Sequence, residues 1–176
     1  MTDSQAAVSR AAPIIVTAEM AAADEAWADG LRRRYFPPER NHLPAHITLF
    51  HHLPPSCEQE LKAVLADLAR SAPPAAWVDG VISLGRGVAL ALRSPALLEQ
   101  RAQIADRFAL LLTPQDRATP RLHITVQNKV DASVARATLA ELSIQPMSRP
   151  LAIKGLACWH YRGGPWSLIA RYSFRG

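Results

Sequence analysis

The feature that most constrains the fold of this chain is a repeat. The tripeptide His-Ile-Thr occurs at residues 46–48 and again at residues 123–125, 77 residues further on, although the 176-residue chain has only six histidines. Each copy stands in a β-branched run, LPAHITLF and RLHITVQN, that predicts a strand. Chance explains two copies in equivalent settings poorly, so we predict a duplicated structural unit rather than two unrelated strands.

The predicted elements around the two copies follow the same order. A helix precedes each copy, and a helix and a hairpin follow it. The helices are predicted at residues 20–35, 56–68, 96–112 and 133–142, and the hairpin turns at Gly85-Arg86-Gly87 and Arg162-Gly163-Gly164. The sequence therefore predicts an α+β fold of two pseudo-symmetric lobes, in which antiparallel sheets flank a central cleft and the helices lie outside.

The same order sets the predicted domain organisation. Residues 1–12 are expected to form a flexible tail, and residues 13–176 a single bilobal domain. Its lobes should span about 13–94 and 95–176, with the termini able to cross between them. The start of the chain has an acidic residue and an interrupted apolar run, which is not a signal-peptide pattern, and no stretch is long enough to span a membrane. We expect a monomer without membrane contact.

Composition narrows the class of protein. Hydrophobic residues make up 49% of the chain and charged residues 20%, which is ordinary for a globular domain and excludes wholesale disorder. The net charge of +5 favours a phosphate-bearing partner such as a nucleotide or RNA. Cys57 and Cys158 are too few for a disulfide framework, and the absence of a Cys-x-x-Cys motif leaves a reducing, cytoplasmic location as the expectation.

The repeated tripeptide predicts a polar face on each strand. Alternate residues of a strand share a face, so His46 and Thr48 should point the same way, as should His123 and Thr125. If the two lobes face each other, two imidazoles and two hydroxyls converge on one cleft. The alternative for either copy alone is a strand histidine with a structural role.

Two imidazoles suit the cleavage of a phosphodiester. Histidine titrates near neutral pH, so one ring can accept a proton while the other donates one. Opening a 2′,3′-cyclic phosphate needs a base for the attacking water and an acid for the leaving ribose oxygen, and this pair needs no metal or other cofactor. Threonine hydroxyls and cationic side chains can hold the nonbridging oxygens as negative charge develops.

Two other site types are disfavoured by the sequence. A metal site would draw on a group of histidines and a cysteine near the first motif, namely His42, His46, His51, His52 and Cys57. Pro44 prevents a regular helix that would present His42 and His46 together, and no carboxylate completes a ligand set. A serine hydrolase is disfavoured because no Gly-x-Ser-x-Gly motif occurs.

The two His-Ile-Thr motifs, each followed by a helix and a hairpin, resemble the 2H phosphoesterase superfamily, and within it the 2′-5′ RNA ligase / 2′,3′-cyclic nucleotide phosphodiesterase group. The resemblance covers about residues 13–174. It implies that His46 and His123 are the catalytic pair and that Thr48 and Thr125 bind the phosphate. It also implies an aromatic residue against the base after the first motif, for which Phe50 is the candidate.

Further candidate substrate contacts lie near both motifs. The stretch LRRRYFPPER places arginines beside aromatics, so Arg33, Arg34 and Tyr35 are candidates, while Arg32 reads better as a helix-end cation. Lys129 is a candidate because it should share the strand face of His123. Arg162 lies in the turn WHYRGGPW, which either rims the cleft or covers the core.

The sequence therefore predicts an enzyme that hydrolyses 2′,3′-cyclic phosphates of nucleotides or RNA ends without a metal. The same two histidines can serve the reverse 2′-5′ RNA ligation. For hydrolysis, His123 is taken as the base and His46 as the acid. The alternative is a non-catalytic nucleotide or RNA-end binding protein that uses the same cleft.

Overall fold

The protein is described by a computed structural model covering residues 12–176. The predicted tail at residues 1–12 lies outside the described residues except for Ala12, which is buried. The elements are β1 Ile14–Met20, α1 Ala22–Tyr35, β2 Ile47–Leu53, α2 Glu58–Leu68, β3 Ala75–Ser83, β4 Val88–Arg93, α3 Pro95–Arg107, α4 Pro114–Arg117, β5 His123–Gln127, α5 Ala132–Ser143, β6 Ser148–His160 and β7 Ser167–Ser173.

This order confirms the predicted α+β class with antiparallel strand pairing. The helix expected at residues 96–112 ends at Arg107, and a single 3₁₀ turn, Ala109–Leu111, follows it. The short helix α4 had no counterpart in the sequence prediction. No helix within residues 12–176 is both long enough and apolar enough to cross a membrane.

Strand β6 joins the two halves of the sheet. The strand order is β2-β1-β6-β3-β4-β5, and β7 also pairs with β6. Residues 153–160 of β6 pair with β1, whereas residues 148–152 pair with β3. One half of the sheet is therefore built from β2, β1, β6 and β7, and the other from β6, β3, β4 and β5.

The sheet halves do not divide at the lobe boundary near residue 94. The hairpin β3–β4 follows the first motif strand in sequence, yet β4 pairs with β5, the second motif strand. The hairpin β6–β7 follows the second motif strand, yet β6 pairs with β1, which is the neighbour of β2. Each half of the sheet thus combines one motif strand with a hairpin from the other half of the chain, and this exchange ties the two halves together.

The core lies behind the motif strands. Ile47 and Ile124, the central residues of the two tripeptides, are fully buried, as the alternation predicted. Cys57 and Cys158 are free and buried as well. Burial raises the pKa of the Cys158 thiol to about 11, so this cysteine behaves as a small core residue rather than a nucleophile.

The pairing register of β2 shifts directly after its threonine. Thr48 lies opposite Thr17 and Phe50 opposite Val16, so Leu49 is an extra residue without a partner in the ladder. An extra residue reverses the alternation of side chains beyond it. Phe50 therefore turns into the core, where it has no exposed surface, and His51 takes the open face.

Strand β5 carries the same shift at the equivalent place. Thr125 lies opposite Ala89 and Gln127 opposite Val88, so Val126 is the extra residue. Gln127 is buried in consequence, and its side-chain amide donates to the Thr138 hydroxyl of α5 at 2.8 Å. The internal repeat thus extends beyond the tripeptide to a backbone irregularity in each strand.

Candidate active site

The two motif histidines are held in the same way. The Nδ1 of His46 lies 2.8 Å from the carbonyl oxygen of Pro44, and the Nδ1 of His123 lies 2.7 Å from that of Arg121. A carbonyl only accepts, so each Nδ1 must carry the hydrogen. In the neutral ring, each Nε2 is therefore left with the lone pair that a base needs.

The two histidines lie within electrostatic range of each other, because β2 and β5 are in contact. Burial lowers the pKa of His46 from its usual 6.5, and the charges of Arg32 and His123 lower it further. The hydrogen bond to Pro44 and the charge of Asp29 act in the opposite direction. The net effect favours the neutral form of His46 near pH 7.

A cleft of about 520 Å³ opens beside these residues. Both motifs contribute to it, through His46 and Thr125. Thr48 is half-buried on β2, next in the alternation to His46. Cationic and aromatic side chains supply further lining: Arg32, Arg40, Lys129, Tyr161 and Trp166. The lining thus combines the His46 imidazole with positive charge, whereas His123 and Thr48 are not among the lining residues.

Arg32 links helix α1 to the second motif. It is buried, its Nη1 donates to the Thr125 carbonyl at 2.9 Å, and its Nε donates to the Asn41 side chain at 3.0 Å. Its guanidinium also lies 4.3 Å above the Phe36 ring. The sequence reading of Arg32 as a solvated helix-end cation is therefore wrong, because α1 packs against β5 and turns this residue inward.

Lys129 reaches the cleft from a turn rather than from the strand face. Strand β5 ends at Gln127, and Lys129 adopts a left-handed backbone conformation with φ 60°. Its neighbour Val130 is fixed by the β3–β4 turn, since the Val130 amide donates to the Arg86 carbonyl and the Arg86 Nε donates back to the Val130 carbonyl. Lys129 thus lines the cleft, but from the turn after β5 and not from the strand face that it was expected to share with His123.

Trp166 contacts His46 from the β6–β7 turn. The two ring centroids are 4.7 Å apart in an edge-to-face arrangement, and Trp166 lies 6.3 Å from Trp159. Of the two readings of this turn, rimming the cleft is the one that the structure shows, because Tyr161, Gly163 and Gly164 line it too. Arg162 lies exposed between these lining residues.

Three of the remaining candidates lie away from the cleft. Phe50 is in the core under the Arg101 guanidinium, 4.3 Å from its ring centroid, so it cannot stack on a base. Arg34 and Tyr35 both donate to Glu141 of α5, in a separate depression. Successive helix residues are about 100° apart, so Arg34 points away when Arg32 faces the cleft.

Arg33 is exposed on α1, one position from Arg32. It is not among the side chains that line the cleft with His46 and Thr125. The arginine-rich stretch nevertheless reaches the cleft through Arg32 and Arg40, which flank the aromatic pair in the sequence. The arginines of this stretch that line the cleft are therefore Arg32 and Arg40, not the candidates Arg33 and Arg34.

His51 is a cleft residue that the sequence suggested only as a possible metal ligand. Its Nδ1 lies 3.2 Å from an Asp116 oxygen, and the amides of His51 and His52 donate to the same carboxylate. Burial alone would raise the pKa of Asp116, but these hydrogen bonds hold it below its usual 3.8. Asp116 comes from the unpredicted helix α4, so no local sequence pattern indicated the pair.

Among residues 12–176, no three His, Cys, Asp or Glu side chains are close enough together to hold a metal ion. Two of the residues weighed as metal ligands have other partners: His51 contacts Asp116, and the Cys57 thiol donates to the Pro54 carbonyl.

Comparison with models of known protein families shows which family the chain belongs to. The model of the 2′-5′ RNA ligase superfamily matches residues 20–165, which include both motifs. The chain belongs to the 2′-5′ RNA ligase superfamily. The predicted resemblance to the 2H phosphoesterases is confirmed by this match. No curated protein sequence matches the chain.

Solved structures of the 2′-5′ RNA ligase superfamily share the fold. Escherichia coli LigT complexed with 3′-AMP superposes with a TM-score of 0.65 at 16% identity, covering 94% of this chain and 99% of LigT. LigT complexed with NADP+ gives 0.64 at 18% identity, with the same coverage. The protein TT0787 of Thermus thermophilus gives 0.61 at 15% identity, covering 93% of this chain and 98% of that one.

Proposed function

We propose that this superfamily member is an RNA 2′,3′-cyclic phosphodiesterase that acts on nucleotides or RNA ends by two-histidine acid–base catalysis without a metal. The observation that carries the proposal is the matched setting of His46 and His123. Each Nδ1–H is held by a carbonyl two residues earlier, and each Nε2 is left for proton transfer. The structural neighbour LigT was solved with 3′-AMP and with NADP+, which fits a nucleotide substrate.

The proton-transfer roles follow from the environment of His46. A general base must be neutral before it acts, and the lowered pKa of His46 favours that form. His46 then takes the proton of the attacking water as the oxygen bonds to phosphorus. His123 gives its proton to the ribose oxygen as the other P–O bond breaks. This assignment reverses the one taken from the sequence, where His123 was the base.

The remaining cleft residues bind the phosphate and the chain. Thr48 and Thr125 stand next to the histidines in the alternation, so their hydroxyls are the proposed donors to the nonbridging oxygens. Lys129 and Arg40 bring positive charge to the same cleft, which stabilises the charge that builds on phosphorus oxygens. The resemblance implies that the 3′-oxygen leaves, giving a 2′-phosphate. Run in reverse, the same steps join two RNA ends through a 2′-5′ linkage.

The free, buried thiols of Cys57 and Cys158 support the cytoplasm as the place where this reaction occurs. Metabolically, the reaction belongs to RNA processing, since cyclic phosphates arise at cleaved RNA ends.

Removal of either histidine tests the proposal. With EDTA present, we expect His46→Ala and His123→Ala each to lower the turnover of 2′,3′-cyclic nucleotides by about 10²–10⁴-fold, the usual contribution of a general acid or base. His52→Ala is the matched control, because its side chain is exposed on β2 and does not line the cleft. Undiminished turnover in both motif variants would remove the proposal. Nucleotide binding by a wild-type protein that turns nothing over would favour the binding-protein alternative.

A further inference from the structure

A second, more enclosed cavity of about 250 Å³ lies beside His46. The two cavities share His46 and Trp166 as lining residues, so a phosphate held at His46 lies next to both. Nothing in the two-histidine mechanism uses this second cavity. Its position suits the nucleoside that carries the reacting phosphate.

The walls of this cavity suit a flat ring. Trp159 and Trp166 line it, and Met20 adds an apolar surface. The Trp159 indole is fixed by a hydrogen bond from its Nε1 to the Thr17 hydroxyl at 2.9 Å. Aromatic side chains that are held in place form stacking surfaces for nucleobases. Pockets for drug-sized ligands have volumes of about 300–1,000 Å³. The 250 Å³ of this cavity is smaller and suits a single nucleobase.

The polar groups of the cavity have a specific pattern. Glu19 and Glu25 both line it, as does Arg171. The Arg171 Nε donates to both carboxylate oxygens of Glu19, at 2.8 and 2.9 Å, and only 12% of the Glu19 side chain is exposed. Carboxylates only accept hydrogen bonds, and the guanidinium carries further N–H donors beyond its Nε. The cavity thus presents strong acceptors beside a donor.

Guanine matches this pattern better than the other bases. Its N1–H and N2 amino group are adjacent donors that one carboxylate can accept together, and its O6 and N7 are the acceptors that arginine binds. Adenine and cytosine each offer one amino group next to an acceptor nitrogen. Uracil places carbonyl oxygens on both sides of its single N–H, which a carboxylate repels.

We infer that this cavity is a guanine-binding subsite in which Trp166 stacks on the base, Trp159 forms an apolar wall tilted by 54° to it, and Glu19, Glu25 and Arg171 select the base. The inference rests on the proposed function for the location of the phosphate at His46. It adds a base preference, for guanosine as the nucleoside attached to the reacting phosphate. The part of the larger cleft beyond the reacting phosphate is left for the rest of an RNA chain.

Inosine is the sharpest probe, because hypoxanthine lacks only the N2 amino group of guanine. We expect calorimetry to give a Kd for guanosine 2′-monophosphate about tenfold lower than that for inosine 2′-monophosphate, the effect of one hydrogen bond to a charged acceptor. Glu25→Gln should remove most of this difference, because the amide replaces one acceptor oxygen with a donor. Glu99→Gln, an identical change on the exposed face of α3, should leave it unchanged.

Glu19→Gln provides a second variant, since it keeps the side-chain shape but weakens the contact with Arg171. Equal affinity for the two nucleotides in the wild type, or a preference that survives in both cavity variants, would overturn the inference. A guanine preference without turnover of any cyclic nucleotide would support the subsite and remove the proposed function. Equal turnover of all four cyclic nucleotides, together with equal binding, would support the proposed function and overturn the guanine subsite.

Discussion

At the scale of single residues, His46 and His123 share one hydrogen-bonding arrangement but not one environment. Both rings are oriented by a backbone carbonyl two residues earlier. His46, however, sits beside Arg32, Asp29 and the Trp166 ring, and burial lowers its pKa. This asymmetry allows two identical side chains to serve as base and acid in the same step.

The pH dependence of kcat/KM follows from this asymmetry. Because His46 must be neutral to act as base and its pKa lies below 6.5, the acidic limb of the profile should fall below pH 6.5. Asp29→Asn removes a negative charge that raises this pKa, so the limb should move to lower pH still. Asp67→Asn, on the exposed face of α2, is the control. A limb above pH 6.5, or one that Asp29→Asn moves upward, would contradict the assignment of His46.

The sequence identified the histidine–threonine pairs because strand alternation holds from His46 to Thr48 and from His123 to Thr125. It misplaced Phe50 because the extra residue Leu49 reverses the alternation, and no local pattern marks such a shift. The contact of Trp166 with His46 and the pairing of His51 with Asp116 were not predictable for a related reason. Both depend on tertiary contacts with a distant turn and with helix α4.

At the scale of elements, short connecting segments fix the motif strands. Helix α4 holds β2 through Asp116, whose carboxylate accepts the amides of His51 and His52. The β3–β4 turn holds the end of β5 through Arg86 and the close approach of Gly87. The order of the helices and strands was predictable from hydrophobic spacing. The contacts of α4 with β2 and of the β3–β4 turn with β5 were not predictable, because they join segments far apart in sequence.

Asp116→Asn should lower the free energy of unfolding by about 2–3 kcal/mol near pH 7, because an amide cannot accept all the hydrogen bonds of a buried carboxylate. The folded pKa of Asp116 lies below 3.8, so its contribution is present above that value and is lost as pH falls through the folded pKa. Urea unfolding across this range should show the difference between wild type and variant shrinking in acid. A difference that stays constant with pH would contradict a role for the charge.

Gly87→Ala tests the contact between the β3–β4 turn and the end of β5. A Cβ at Gly87 would lie 2.0 Å from the Gln127 carbonyl oxygen and 2.7 Å from the Asn128 Cα, so backbone must move. We expect a fall in Tm together with a loss of kcat/KM, since Gln127 ends the strand that carries His123. Gly30→Ala on α1 is the matched control, because its added Cβ meets only the end of the Arg33 side chain, at 3.7 Å, and Gly30 does not line the cleft. Equal Tm values for the two variants would contradict the prediction, because they would show that the end of β5 can move without loss of stability.

At the scale of the whole molecule, the exchange of hairpins brings two motifs 77 residues apart in sequence to one cleft. The duplicated order of elements was enough to predict two related halves and their shared cleft. It was not enough to show which hairpin completes which half, because either pairing satisfies the same pattern of apolar residues. The observed pairing of β6 decides between the two arrangements, since its 13 residues pair with β1 at one end and with β3 at the other.

A crystal structure with a bound nucleoside 2′-monophosphate tests two-histidine catalysis most directly. One phosphate should lie between the rings, with an oxygen within hydrogen-bonding distance, about 2.6–3.2 Å, of the Nε2 of both His46 and His123. A phosphate bound to one histidine alone, or rings too far apart to contact one phosphate together, would contradict it.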